Sequence, residues 1–259
     1  MPSTLDVAIR DLLQEFQGNA WFTEQYWPDN KDRALSMVRD ISGRLKENAE
    51  LFEPGCGVGY ISYVFAKLGY RVTATDAWKL PERDEMLRRV DAKFFYSNLN
   101  HLPPFPDLPG QAFDAVLFGE VFEHLLNHPL GVLRELNRVL RPSGVLILTT
   151  PNPCTIMNAA RMLSGGFSLW GTDAFIQQPK IVDGVVIDKG DVHYREYRTA
   201  ELIEALQTTG FLVEEVRYMG IGSSSGQMPI KRFAKRVLRN TLMRQRLFGA
   251  TQYLIAVKK

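Results

Sequence analysis

Cysteine is scarce. Cys56 and Cys154 are the only two in 259 residues, so no disulfide framework is implied and a reducing, cytoplasmic setting is expected. Long apolar runs are missing too. No window approaches the length of a membrane span, and Asp6, Arg10, Asp11 and Glu15 stand where a secretory signal needs an unbroken apolar stretch. Charge of one sign is not in excess: 31 Lys plus Arg face 29 Asp plus Glu, a formal +2, which gives no reason to expect nucleic acid or an anionic membrane as an obligatory partner. Repeats and low-complexity tracts are absent, which removes solenoids and disordered linkers from consideration.

What is present is a globular mixture, 45% hydrophobic and 23% charged, in a chain long enough to bury a core as one large α/β domain or two small ones. Periodicity narrows the choice. Apolar residues recur at helical spacing over residues 5–16 and 32–45, with a Trp-rich break at 21–27 between them. Strands are then expected at 50–53, 71–75, 93–96, 113–118 and 145–150. The runs 60–68, 81–90 and 121–140, the last interrupted at Pro129, read as the helices between them. This repeated β-then-α order argues for a doubly wound, mostly parallel sheet, because parallel neighbours need a crossover and the crossover packs as a helix. A helix at 199–209, a strand at 211–218, a basic helix at 231–247 and a strand at 252–257 complete the reading. We expect one domain, 1–259, with an N-terminal helical cap at 1–47 and a glycine- and aromatic-rich lid or substrate-binding insertion at 153–192.

Between the first strand and first helix runs Glu53-Pro54-Gly55-Cys56-Gly57-Val58-Gly59-Tyr60. Open α/β sheets bind ligands at this place, and glycines there let backbone approach a ligand closely. Tyr60 occupies the third-glycine position of the dinucleotide fingerprint, so a dehydrogenase reading loses support. Asp76 ends the second strand, where a carboxylate can accept from both hydroxyls of a ribose. The E-x-G-x-G-x-G turn with this acid resembles motif I of class I S-adenosylmethionine-dependent methyltransferases, and the likeness extends over roughly residues 50–215. It implies a Rossmann-like sheet of seven strands, S-adenosylmethionine as cofactor, and cofactor contacts at Glu53, Gly55, Cys56, Gly57, Gly59, Asp76, Ala77, Trp78, Gly119 and Glu120. Asn98, followed by Leu99, stands where the family usually has an acid for the adenine amino group, and its amide oxygen can accept the same bond.

The block Phe113 to Leu125 resembles the family's fourth strand and the segment behind it, and ends in Glu120-Val121-Phe122-Glu123-His124. If a helix starts near Glu120, positions i, i+3 and i+4 share a face, and two carboxylates and an imidazole converge. Such a set suits a divalent cation, Mg²⁺ or another. The arrangement is similar to that of ubiquinone-pathway O-methyltransferases and small-RNA 2′-O-methyltransferases, which implies a metal set of Glu120, Glu123, His124 and His193. Without a metal, His124 or His193 would serve as general base, since imidazole titrates near working pH. Tyr26 and Trp27, with Trp170 or Phe175, are candidates for an aromatic wall around a sulfonium.

The expected reaction is methylation of a hydroxyl on a small metabolite such as a sugar, phenol or quinone precursor. A nucleic-acid 2′-O-methyltransferase and a non-catalytic binding protein on the same fold remain as alternatives. Peripheral membrane contact through the basic stretch 231–246 is left open.

Overall fold

The computed structural model describes residues 3–165, 193–220 and 245–259, with the backbone of 180–182 and 185–187. Strands β1 (Glu50–Pro54), β2 (Arg71–Asp76), β3 (Lys93–Tyr96), β4 (Phe113–Gly119), β5 (Leu140–Pro151), β8 (Phe211–Met219) and β9 (Thr251–Lys258) form one sheet in the order β3-β2-β1-β4-β5-β9-β8. All neighbours pair in parallel except β9, which is antiparallel to β5 and β8. β6 (Lys180–Val182) and β7 (Val185–Ile187) make a separate antiparallel pair.

The period of two along each strand divides the core between the sheet's faces. Leu51, Ala115, Ile147 and Ile255 point to one side, where α1 (Thr4–Glu15), α2 (Trp27–Ser42), α3 (Tyr60–Lys67) and α4 (Pro81–Arg89) supply Leu12, Met37, Phe65 and Leu87. Their neighbours Phe52, Val116, Leu148 and Leu254 point to the other, against Leu133 and Leu136 of α5 (Pro129–Val139) and Leu202 and Leu206 of α7 (Thr199–Thr208). The doubly wound, seven-stranded reading is correct. Strand order reverses between β1 and β4, so their C-terminal ends open a crevice at the switch point.

Three local expectations differ. The Trp-rich break is a π-helical turn, Trp21–Tyr26, running directly into α2, which therefore begins at Trp27 rather than at 32. The wider turn inserts an extra residue and destroys the 3.6 period on which the sequence reading relied. β5 starts at Leu140, five residues before the predicted 145, because Leu140 pairs with Phe113 across an irregularity in the ladder. No helix starts at Glu120: its φ of +56° turns the chain left-handed, and only a 3₁₀ turn, Phe122–His124, precedes α5. The basic helix expected at 231–247 lies, as far as residue 244, outside the described residues, as does most of the 153–192 insertion. Among the described residues, no helix is long and apolar enough to cross a membrane.

Candidate active site

At the crevice, Gly55 and Cys56 each donate a backbone N–H to Thr75 O, at 2.8 and 3.0 Å, folding the turn after β1 back over β2. Gly55 has φ +71°, and a Cβ there would lie 2.7 Å from Val121 Cγ2. No side chain fits. Gly59 has φ +80° at the N-terminus of α3, and its absent Cβ would stand 3.0 Å from Arg83 Cγ and 3.3 Å from Met86 Cε, so it lets α3 and α4 approach.

Asp76 fixes the turn from the neighbouring strand. Its Oδ2 accepts from Gly57 N and its Oδ1 from Trp78 N, both at 2.8 Å. Burial pushes its carboxyl above the usual carboxylate range, against the pull of these amide bonds. Arg83 was not singled out by the sequence, where it is one charge among several on α4. It is buried and donates to Gly57 O at 3.0 Å and Trp78 O at 2.7 Å, joining the two loops.

These loops open on a cavity of about 560 Å³. Glu53, Gly55, Cys56, Gly57, Asp76, Ala77, Trp78, Asn98, Leu99, Gly119 and Glu120 all line it. Of the expected cofactor contacts, Gly59 alone does not. Asn98 Oδ1 accepts from Asn100 N at 3.0 Å, so its amide oxygen already has one partner. Tyr26 lines the cavity, together with Trp21, which stands 4.7 Å from it between ring centroids. Trp27 does not belong to this wall; it is 8% exposed and packed in the core against Phe22 and Tyr60. Trp170 and Phe175 lie outside the described residues.

Beneath the cavity sits a buried polar cluster. Arg33 Nη2 donates to Tyr60 Oη at 2.7 Å, Arg33 Nη1 lies 3.2 Å from Glu120 Oε1, and Ser62 Oγ donates to Glu53. Burial opposes the charge of Arg33, but Tyr60 and Glu120 more than offset this and hold it protonated. Its Nε is buried with no hydrogen-bond partner. Arg33 lines the cavity, yet on sequence it is an ordinary cation of an amphipathic helix; only the fold brings it to Glu120.

Burial raises the Glu53 carboxyl to about 7, with the Ser62 hydrogen bond pulling the other way. A carboxyl that holds its proton more tightly when folded contributes stability that is complete below its unfolded value near ~4.3 and lost as pH rises towards 7. Glu53→Gln does not titrate. The ligand-free variant should therefore gain on the native protein in thermal melts between pH 5 and 8, by up to about 3 kcal/mol. Parallel pH profiles for the two proteins would show that Glu53 is not the group.

The last cluster lies beyond β4. Glu123 is buried; Thr150 Oγ1 donates to its Oε2 at 2.8 Å, while Oε1 lies 3.9 Å from His124 Nε2 and has no hydrogen bond. Burial first, then the nearby charge of Glu120, raises its carboxyl well above the usual range. Tyr194 N and Arg195 N donate to Glu123 O at 2.8 and 3.3 Å, which brings His193 alongside. The His124 and His193 rings stand edge to face at 5.0 Å, and His193 Nδ1 lies 3.0 Å from Glu196 Oε1. Ligand atoms of Glu123, His124 and His193 all lie within 4.8 Å of one another. Glu120, expected as a fourth member, is not in this group. Its left-handed backbone breaks the helical spacing that would have aligned it with Glu123 and His124, and its carboxylate pairs with Arg33. Asn152, in the Thr-Pro-Asn ending of β5, donates to Arg246 O and Gly249 O at 2.7 and 2.8 Å and so anchors the turn before β9.

Comparison with known proteins agrees with this geometry. A methyltransferase domain family model matches residues 52–148. A Mycolicibacterium smegmatis protein named as a probable S-adenosylmethionine-dependent methyltransferase is 31% identical over 87% of this chain and 70% of its own. A ubiquinone biosynthesis O-methyltransferase of Xanthomonas axonopodis pv. citri is 27% identical over 78% of this chain and 79% of its own. Among solved structures, a methyltransferase in complex with the Haloferax volcanii Trm112 methyltransferase activator superposes with a TM-score of 0.56 at 18% identity, covering 92% of this chain and 96% of that one. The last likeness concerns the fold; the Mycolicibacterium smegmatis relative, with the glycine turn, Asp76 and the switch-point cavity, places the chain in the class I S-adenosylmethionine-dependent methyltransferases.

Proposed function

We propose that the enzyme methylates a hydroxyl oxygen of a small metabolite, with a divalent cation held by Glu123, His124 and His193. The observation that carries this reading is the convergence of one carboxylate and two imidazoles beside the cofactor cavity, which His124 itself lines. Ubiquinone biosynthesis O-methyltransferases among the relatives support oxygen as the target.

S-adenosylmethionine, when bound, supplies an electrophilic methyl on a sulfonium. The residues fit it. Each oxygen of Asp76 has a lone pair beyond its backbone bond for the ribose hydroxyls, and Trp78, Asn98 and Leu99 surround the adenine end. The glycine turn takes the amino-acid tail, and the unpartnered Nε of Arg33 is a donor suited to its carboxylate. Glu53, Glu120 and the aromatic faces of Tyr26 and Trp21 provide the environment that the ammonium of this tail and the sulfonium favour.

At the cation site, Glu196 orients His193 through Nδ1 and leaves Nε2 for the metal, and Thr150 orients Glu123 in the same way. Two imidazoles with one carboxylate suit Mn²⁺, Fe²⁺ or Zn²⁺ better than Mg²⁺, which prefers all-oxygen shells. The cation would lower the pKa of an acceptor hydroxyl and hold it in line with the methyl. In this reading the helical cap, 1–47, closes the cavity with Tyr26 and Arg33, and the chain works as one cytoplasmic domain.

A screen of phenols, catechols, sugars and primary amines with methyl-labelled cofactor, run with Mn²⁺, with Mg²⁺ and with excess chelator, tests the proposal. Label on oxygen that disappears with the chelator is expected. Transfer to amines only would remove the oxygen assignment, and full turnover in chelator would remove the cation.

A further inference from the structure

We propose that α6 (Ile156–Leu163) and the turn packed against its start form a docking surface for an anionic lipid bilayer. This surface lies apart from the cation site and cofactor cavity, and the proposal stands whatever the acceptor proves to be.

No residue of α6 is buried. Its polar side is turned inward: Thr155 Oγ1 accepts from Asn158 N at 3.1 Å, and Asn158 Nδ2 donates to Pro153 O at 3.2 Å. The helical period then gathers Ile156, Ala159, Ala160 and Leu163 into one outward stripe. Ile156 is 48% exposed, Met157 and Met162 are each 61% exposed, and Leu163 is 91% exposed. Leu247, 51% exposed, extends the patch, because its carbonyl accepts from Ile156 N at 2.8 Å. An ordinary surface helix turns its apolar stripe inward, so this one is built in reverse.

Charge identifies the occupant. The charged residues of α6 and the 245–249 turn are Arg161 and Arg246, both exposed and both cationic. The chain enters this turn from the most basic stretch of the sequence, six Lys and Arg between 231 and 244, and no Asp or Glu follows Glu215. Apolar side chains bordered by cations alone match the interface of an anionic bilayer, into which the apolar groups insert while arginines meet phosphates. A second copy of this chain would set like charges against each other.

The test is co-sedimentation of the full chain with phosphatidylglycerol-containing vesicles and with pure phosphatidylcholine vesicles. Binding to the former, weakened by salt, is expected. Leu163→Glu combined with Met157→Glu should reduce it at least about tenfold, with melting temperature and S-adenosylhomocysteine affinity unchanged. No binding by the native chain overturns the proposal. Undiminished binding by the variant overturns it as well, since the basic stretch would then suffice. A lower melting temperature in the variant, or a change of mass by light scattering, would show the face covered by this chain's own segments or by a second copy, and also overturns it.

Discussion

Replacing Asp76 with alanine should raise the dissociation constant for S-adenosylhomocysteine at least about a hundredfold. Both carboxylate oxygens spend one bond on the backbone, on Gly57 N and Trp78 N, and keep acceptor capacity towards the cavity. Hydrogen bonds to a charged group contribute about 1.5–3 kcal/mol each, so losing two ribose hydroxyls costs on the order of 3–6 kcal/mol. The loop loses its acceptor for Gly57 N at the same time. Asp76→Asn should not restore binding, because the amide must present an NH₂ group either to a backbone N–H or to the ribose. Calorimetric titration decides the matter. An alanine variant within about threefold of the native affinity would reduce Asp76 to a loop brace and sink the ribose assignment.

The sheet was legible because its signal is local and redundant. Five strands, three of them followed at once by a helical period, imply parallel pairing without any long-range information. The glycine turn was legible for the same reason, since Gly55, Gly57 and Gly59 take φ of +71°, +55° and +80° within one short segment. The failures share a different cause. Glu120 was grouped with Glu123 and His124 by helical spacing, a rule that lapses at a residue with φ +56°. Arg33 and Arg83 carry no local mark; each acquires its role from loops far away in sequence. His193 was found only through a family resemblance, and nothing local to it announces that Tyr194 N and Arg195 N tie its segment to Glu123 O. Local chemistry can thus be read from a sequence where the backbone is regular. Sites built across a left-handed residue or between distant loops need the fold.

Glu123→Gln should lower methyl transfer at least about a hundredfold in the presence of divalent cation, more than the loss of an outer-shell partner costs. The substitution is nearly isosteric, and the amide oxygen can still accept from Thr150 Oγ1, so the fold should hold. What it removes is the one anionic ligand of the three converging groups. Glu123 does not line the cofactor cavity, and S-adenosylhomocysteine affinity should therefore stay within about twofold of the native value. The native enzyme treated with chelator should fall to the variant's rate, and added Mn²⁺ should rescue the native chain alone. Turnover measured across a Mn²⁺ titration for both proteins checks this. Were the variant as fast as the native enzyme at saturating cation, Glu123 would be a buried acid with a structural role, and His124 would be left as a metal-free base acting beside the cofactor.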